Sequence, residues 1–213
     1  FGILSLNRPQ ALNALNLGMV EALGAQLAAF EADAAVRAVL ILGAGARAFC
    51  AGGDVRALYY DGVRTGRKIG PESLGVKFFA REYRLNRQIA RCGKPVVALM
   101  DGITMGGGLG LAGHARFRVA SERTVAAMPE MAIGLFPDVG ATHFLNRAPG
   151  ALGLYLALTG HRVTGADLLH TQLATHMVAS ATLPELTAAL KAIDWDAGVP
   201  EALIEAMLRP FLA

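Results

Sequence analysis

The chain opens on a short aliphatic segment, Gly2-Ile3-Leu4-Ser5-Leu6, which reads as a strand and runs into the turn cluster Asn7-Arg8-Pro9-Gln10. From Leu17 to Asp33 the apolar positions Val20, Leu23, Leu27 and Phe30 recur three or four residues apart, the spacing of an amphipathic helix. Val36 to Leu42 is a β-branched and aliphatic run that predicts a buried strand, and it ends in Gly43-Ala44-Gly45. The loop after it holds Phe49-Cys50-Ala51-Gly52-Gly53-Asp54. Residues 61–71 carry three glycines and Pro71 among Arg64, Arg67 and Lys68, and predict a mobile surface loop. A long helix is expected over about 72–91, with Leu74, Phe78, Leu85 and Ile89 on its apolar side and Lys94-Pro95 ending it. Val96 to Met100 predicts a third buried strand, followed by Gly102 and the run Gly106 to Leu111, and Arg116 to Ala120 predicts a short strand. From about 139 the pattern is helical, with pieces near 139–147, 149–159, 165–170, 183–191 and 199–208.

This order of strands and helices is that of an α/β domain, and the short crossovers predict stacked sheets with helices outside. Residues 36–59 and 95–113 echo one another as strand, glycine-rich loop and helix.

Composition narrows the picture. With 213 residues, 54% of them hydrophobic, the chain can build one sizeable core. Mean hydropathy is +0.41, yet no apolar run approaches the ~18–20 residues of a membrane span, so a soluble chain without membrane contact is expected. Abundant Ala, Leu and Gly point to close-packed helices and oligomer contacts, and a homo-oligomer is expected. Twenty basic against 17 acidic residues form no basic run, a bias suited to an anionic ligand and too weak for nucleic acid. Two cysteines, Cys50 and Cys92, predict free thiols in a reducing compartment. Because Phe1 stands directly before a strand, an N-terminal piece is expected to precede it.

The candidate chemistry lies in the two glycine-rich loops. Each follows a buried strand and opens a helix, so unpaired backbone N–H groups at the strand end can receive an anion. Two such loops side by side suit the negative charge that develops on a thioester carbonyl under attack, and one well-aimed donor is worth roughly 10²–10³ in rate. Gly108-Leu109-Gly110-Leu111-Ala112-Gly113 also satisfies a dinucleotide-binding fingerprint, but the helix before the next strand is too short and no acidic residue ends that strand. The lysine and hydroxyl of a phosphate-binding loop are missing, as is a Gly-x-Ser-x-Gly elbow. The five histidines show no zinc spacing with the cysteines, so no metal is expected.

Three segments together carry a family resemblance: Phe49 to Arg56, Gly102-Ile103-Thr104-Met105-Gly106-Gly107-Gly108, and Met128-Pro129-Glu130-Met131-Ala132-Ile133-Gly134-Leu135-Phe136-Pro137-Asp138-Val139-Gly140. In order and spacing they resemble the crotonase superfamily, and the last two resemble its 3-hydroxyisobutyryl-CoA hydrolase branch. Asn7-Arg8-Pro9, Ala11 to Leu15 and Leu158-Thr159-Gly160 fit the same family. The resemblance implies a crotonase spiral of stacked βββα turns with C-terminal helices that mediate trimer contacts. It implies a core over residues 1–180 that binds acyl-CoA, with 181–213 beginning a helical region that continues beyond Ala213. It also implies hydrolysis of a short 3-hydroxyacyl-CoA, such as 3-hydroxyisobutyryl-CoA in valine breakdown, in a bacterial cytoplasm or a mitochondrial matrix. Coenzyme A enters as part of the substrate and no separate cofactor is implied.

Carried over position by position, the resemblance assigns the N–H groups of Gly53 and Gly107 to an oxyanion hole. It makes Glu130 the central carboxylate and Asp138 the second, with Glu82, Ala51 and Asp54 against the substrate. Alone, Glu130 reads as a helix N-terminal charge, Asp138 as a turn or cap and Glu82 as a solvated helix residue; only their joint placement points to chemistry. A carboxylate beside a thioester can activate water or attack to form an anhydride, while the other acid protonates the departing thiolate. The hydratases of the superfamily carry a glutamate where this chain has Gly110, which argues against hydration and leaves isomerisation open. Cys50 has no base near it in sequence and is expected to be a buried, inert thiol. Arg56 and Lys68 could reach the phosphates of coenzyme A, or simply be solvated.

Overall fold

The computed structural model describes residues 1–66 and 69–213. Its main sheet is wholly parallel, in the order β1 (Gly2–Leu6), β2 (Val39–Gly43), β4 (Val96–Met100), β6 (Phe117–Ala120), β9 (His176–Met177). Alternate side chains enter two separate cores. Leu4, Leu6, Val39, Ile41, Ala98 and Met100 pack with Val20, Leu23 and Leu27 of α1 (Leu17–Ala32) and Leu85 and Ile89 of α3 (Leu74–Arg91). Leu40, Val97, Leu99 and Val119 face the other way, against Leu186 and Leu190 of α8 (Leu183–Lys191) and Ile204 and Leu208 of α9 (Pro200–Leu208). A sheet covered on both faces needs apolar residues at both phases of the pleat, which is why β2 and β4 read as nearly unbroken hydrophobic runs.

A second sheet, β3 (Ala48–Cys50), β5 (Ile103–Met105), β7 (Val125–Ala127) and β8 (Val163–Thr164), stands beyond the first. Its first three strands are parallel and β8 is antiparallel. Each is reached from a main-sheet strand after a few residues: β2 leads to β3, β4 to β5 and β6 to β7. Between β4 and β5 the chain turns at Gly102, whose φ is +79° and where a Cβ would lie 2.5 Å from the Arg47 carbonyl oxygen, so glycine is required there.

The expected elements recur with local differences. Residues 61–64, expected in a surface loop, instead complete α2 (Val55–Arg64). A Cβ at Gly62 would meet nothing within 4 Å, and Asp61 accepts from the backbone N–H of Leu74 at 3.2 Å, tying the end of α2 to the start of α3. Arg67 and Lys68, the rest of that loop's basic residues, lie outside the described residues. The helix expected from 139 begins at Ala141, because Val139 and Gly140 both take positive φ, +46° and +78°. Residues 181–213, set apart above as the start of a helical region, contribute α8 and α9 to the cover of the main sheet. Among the described residues no helix is long and apolar enough to cross a membrane, and no group of His, Cys, Asp and Glu could hold a metal ion.

Candidate functional site

Because β3, β5 and β7 are parallel neighbours, the loops after them emerge at the same end of the second sheet. Ligand sites in parallel sheets form at such strand ends. The loop after β3 carries Ala51, Gly52 and Gly53; that after β5 carries Gly106 and Gly107; that after β7 leads through Met128-Pro129 to a 3₁₀ turn, Glu130–Ile133. Sequence remote from these loops holds the first one in place. Leu15 donates to Gly52 and accepts from Asp54, both at 2.8 Å, and Ala51 donates to Leu12 at 3.0 Å. Asn13, fully buried with φ +56°, donates from Nδ2 to the carbonyls of Ala44 and Ala48 and accepts from the N–H of Arg8.

The two glycine loops touch backbone to backbone. A Cβ on Gly52 would lie 3.4 Å from the Gly107 nitrogen, and one on Gly107 would lie 3.4 Å from the Gly53 nitrogen. The Gly107 N–H stands at the first position of α4 (Gly107–Ala112), where helix geometry supplies no partner. Neither it nor the Gly53 N–H donates to a backbone carbonyl among the described residues. The two amides predicted from sequence therefore share one place.

Three carboxyl groups converge beside them. Glu82 of α3, Glu130 and Asp138 are 2%, 7% and 9% exposed. A side chain on Gly106 would lie 2.6 Å from Glu130 Oε1, and one on Gly107 would fall within 3.0 Å of Glu82 Oε1. The glycines thus leave room for the two acids. Glu82 Oε1 and Glu130 Oε2 are buried with no hydrogen-bond partner among the described residues. Burial, followed by the charges of Asp138 and Glu130, pushes the Glu82 carboxyl up to about 8. Burial, with a further push from Asp138, raises Glu130 to about 7, although a hydrogen bond to its own backbone pulls the other way. Asp138 accepts a 2.6 Å hydrogen bond from the Tyr83 hydroxyl, whose own ionisation is driven upward by burial and by that bond.

The remaining predicted residues are placed differently. The Asp54 carboxylate is committed to the protein: it caps α2 by accepting from Ala57 and pairs with Arg8 at 3.1 Å. Arg56 lies on the exposed side of α2, and Lys68 is outside the described residues. Cys50 is buried, its thiol pushed up to about 12 by desolvation, in keeping with an inert side chain. Both cysteines are free.

Sequence reasoning missed four residues that shape the site: Tyr83, Asn86, Val139 and His114. Glu82 and Asn86 are four apart on α3 and lie over Gly107 and Gly110 of α4, where a Cβ on Gly110 would stand 3.0 Å from Asn86 Nδ2. The same Cβ would be 2.6 Å from Cβ of Val139, whose carbonyl lies 2.8 Å from Nε2 of His114. A four-residue spacing of polar residues on an otherwise apolar helix face was the available signal. A cavity of about 470 Å³ lies alongside, lined in part by Tyr83, Asn86, Phe136, Asp138 and Val139.

This fold and this arrangement of strand-end loops belong to a known class: residues 1–212 match the family model for enoyl-CoA hydratase/isomerase, and the chain is a member of that family, with the crotonase fold. It is 55% identical over 185 residues to the mitochondrial 3-hydroxyisobutyryl-CoA hydrolase of Xenopus laevis, which covers 87% of this chain and 46% of that one. With the human mitochondrial 3-hydroxyisobutyryl-CoA hydrolase it shares 48% over 192 residues, 90% of this chain and 48% of the other. The chain thus spans about half the length of the hydrolases it matches. Similar solved structures include a carnitinyl-CoA dehydratase from Mycobacterium thermoresistibile, at TM-score 0.86 and 44% identity over 99% of this chain and 58% of that one. An enoyl-CoA hydratase from Rhodobacter sphaeroides aligns at TM-score 0.81 and 43% identity, over 97% of this chain and 61% of the other.

Proposed function

We propose that this protein hydrolyses a short 3-hydroxyacyl-CoA thioester, foremost 3-hydroxyisobutyryl-CoA, releasing the hydroxy acid and coenzyme A. The observation that carries the reading is Glu130, a buried carboxyl titrating near neutrality, beside two backbone amides with no backbone acceptor. In this reading the thioester oxygen sits against the N–H groups of Gly53 and Gly107, which take up negative charge as the carbonyl carbon becomes tetrahedral. Glu130 either takes the proton of an attacking water or adds to the carbonyl itself, forming an anhydride that water then opens. In both routes the C–S bond breaks and the thiolate leaves with a proton that Asp138, oriented by Tyr83, relays from the protonated Glu82 carboxyl, and the proton given up by the water restores it. Ala51 and the backbone at Asp54 line the acyl-CoA path, and no separate cofactor takes part.

Hydration is disfavoured by position 110, where Val139 and Asn86 occupy the space a glutamate would need. The names of the hydrolase relatives place those proteins in mitochondria; we assign this activity to that compartment or to a bacterial cytoplasm. Self-association is part of the proposal, and Leu154, Tyr155 and Leu158 on the exposed face of α6 (Leu152–Thr159) suit it.

The test is a panel of acyl-CoA esters followed by thiol release and, separately, by enoyl absorbance. Glu130→Gln and Asp138→Asn should each lower thiol release by about 10²–10⁴. Enoyl hydration without thiol release, or variants as active as the wild type, would overturn the assignment.

A further inference from the structure

Asn86 is 3% exposed, and both its Nδ2 and its Oδ1 are buried without a hydrogen-bond partner among the described residues. A primary amide offers two donors and an acceptor, and leaving it unsatisfied in a core is unfavourable unless something else completes it. Its position narrows what that is. Asn86 lies one helical turn beyond Glu82 on α3, as Gly110 lies about one turn beyond Gly107 on α4. The amide therefore sits one turn further along the paired helices than the point where the Gly107 N–H meets the glycine loop. Asn86 is among the residues that line the 470 Å³ cavity, with Asp138 and Val139, and its amide atoms lie buried just behind that wall. Gly110 carries no side chain to press on Nδ2, which a Cβ there would approach to 3.0 Å.

We propose that Asn86 is the specificity-determining residue that reads the hydroxyl of the acyl chain. The inference rests on the thioesterase reading above and deepens it. A hydroxyl is donor and acceptor at once, so it can donate to Oδ1 or accept from Nδ2. A carboxylate in the same place would be repelled by Glu130 and Asp138, and an ammonium group would seek those acids before an amide. With the thioester oxygen at the start of α4, a hydroxyl two carbons beyond the carbonyl extends toward the next turn, where Asn86 stands. A site built around a hydroxyl rejects the analogue that lacks it more strongly than an apolar pocket rejects an added methylene, because the buried amide is left unpaired.

The experiment compares kcat/KM for 3-hydroxyisobutyryl-CoA and isobutyryl-CoA, by thiol release, in the wild type, Asn86→Leu and Asn86→Ala. The wild type should favour the hydroxylated ester, and both variants should reduce that preference by about 10- to 100-fold. The ratio of the two esters is the readout because loss of folded protein lowers both rates together and leaves it unchanged. Asn86→Leu replaces an unpaired amide with an apolar group of similar volume and should melt no lower than the wild type, which keeps the test open if the alanine variant does not fold. A folded variant that keeps the wild-type preference overturns the proposal, as does a wild type that cleaves both esters equally while remaining a thioesterase. A wild type that cleaves neither ester removes the functional reading itself, and the proposal with it.

Discussion

Glutamine in place of Glu82 isolates the electrostatic cost of gathering three acids in one buried site. In an unfolded chain the Glu82 carboxyl titrates near 4.5, and in the folded protein burial and the neighbouring acids raise it to about 8. Below pH 4.5 the group is protonated in both states and contributes nothing to their difference. Between pH 4.5 and about 8 the folded state holds a proton that the unfolded chain has released, so stability falls as pH rises through this window. At roughly 1.4 kcal/mol per pH unit, the ceiling on the loss is about 5 kcal/mol. Glu130, raised to about 7, repels Glu82 when both are charged, so part of the penalty belongs to the pair. Removing Glu82 should therefore recover about 2–4 kcal/mol at pH 8.5 and nothing at pH 4.5. The amide is nearly isosteric, and because Glu82 Oε1 has no partner to lose, the neutral forms should be close in stability. Urea unfolding followed by far-ultraviolet circular dichroism at pH 5, 7 and 8.5 measures this directly. The wild type should weaken across the series more steeply than Glu82→Gln. Parallel profiles, or a variant less stable than the wild type at pH 8.5, would refute the account of the buried acids.

Gly110→Glu should not convert the site into a hydratase: its Cβ would lie 2.6 Å from Val139 Cβ and 3.0 Å from Asn86 Nδ2, and it adds a fourth acid to a buried cluster. A loss of about 1–3 kcal/mol from overpacking is expected, visible as a lower Tm, with no enoyl hydration; a variant that melts like the wild type and hydrates an enoyl-CoA contradicts this. Asn13→Ala removes two donations to the carbonyls of Ala44 and Ala48 and one acceptance from Arg8, and places alanine at φ +56°. It should cost about 2–4 kcal/mol in urea unfolding, and a loss below ~1 kcal/mol would show that Asn13 does not hold the first glycine loop.

Much of the candidate site was legible because its groups were named from backbone position or from a family motif. Strand-loop-helix order pointed to the two glycine loops, since N–H groups at a strand end that opens a helix lack partners whatever the surrounding side chains, and the family resemblance then singled out Gly53 and Gly107 within them. Glu130 and Asp138 were singled out by their place in a segment that resembles the family, and the turn expected between them is present at Gly134, with φ +73°. Asp54 shows the limit of this reasoning. An acid after a glycine loop is equally a helix cap, and only the neighbouring Ala57 N–H and Arg8 show where its carboxylate goes. Tyr83 and Asn86 were overlooked because nothing local separates a polar residue facing solvent from one turned into a core.

The hydrophobic pattern by itself determined the long elements: α1 and α3 follow from periodicity, because a buried helix face repeats every 3.6 residues, and β2 and β4 from unbroken aliphatic runs, because both of their faces are covered. The α/β class, and the pairing of a strand with a glycine loop and helix, follow from the same pattern. Tertiary structure alone decided the second sheet, whose three-residue strands β3, β5 and β7 are too short to show a period and exist because neighbouring strands supply their hydrogen bonds. It also decided the states of the acids. Whether Glu82 is a solvated helix residue or a carboxyl held neutral depends on what packs over it, and that is settled by α4, Glu130 and Asp138, which are distant in sequence and adjacent only in the fold.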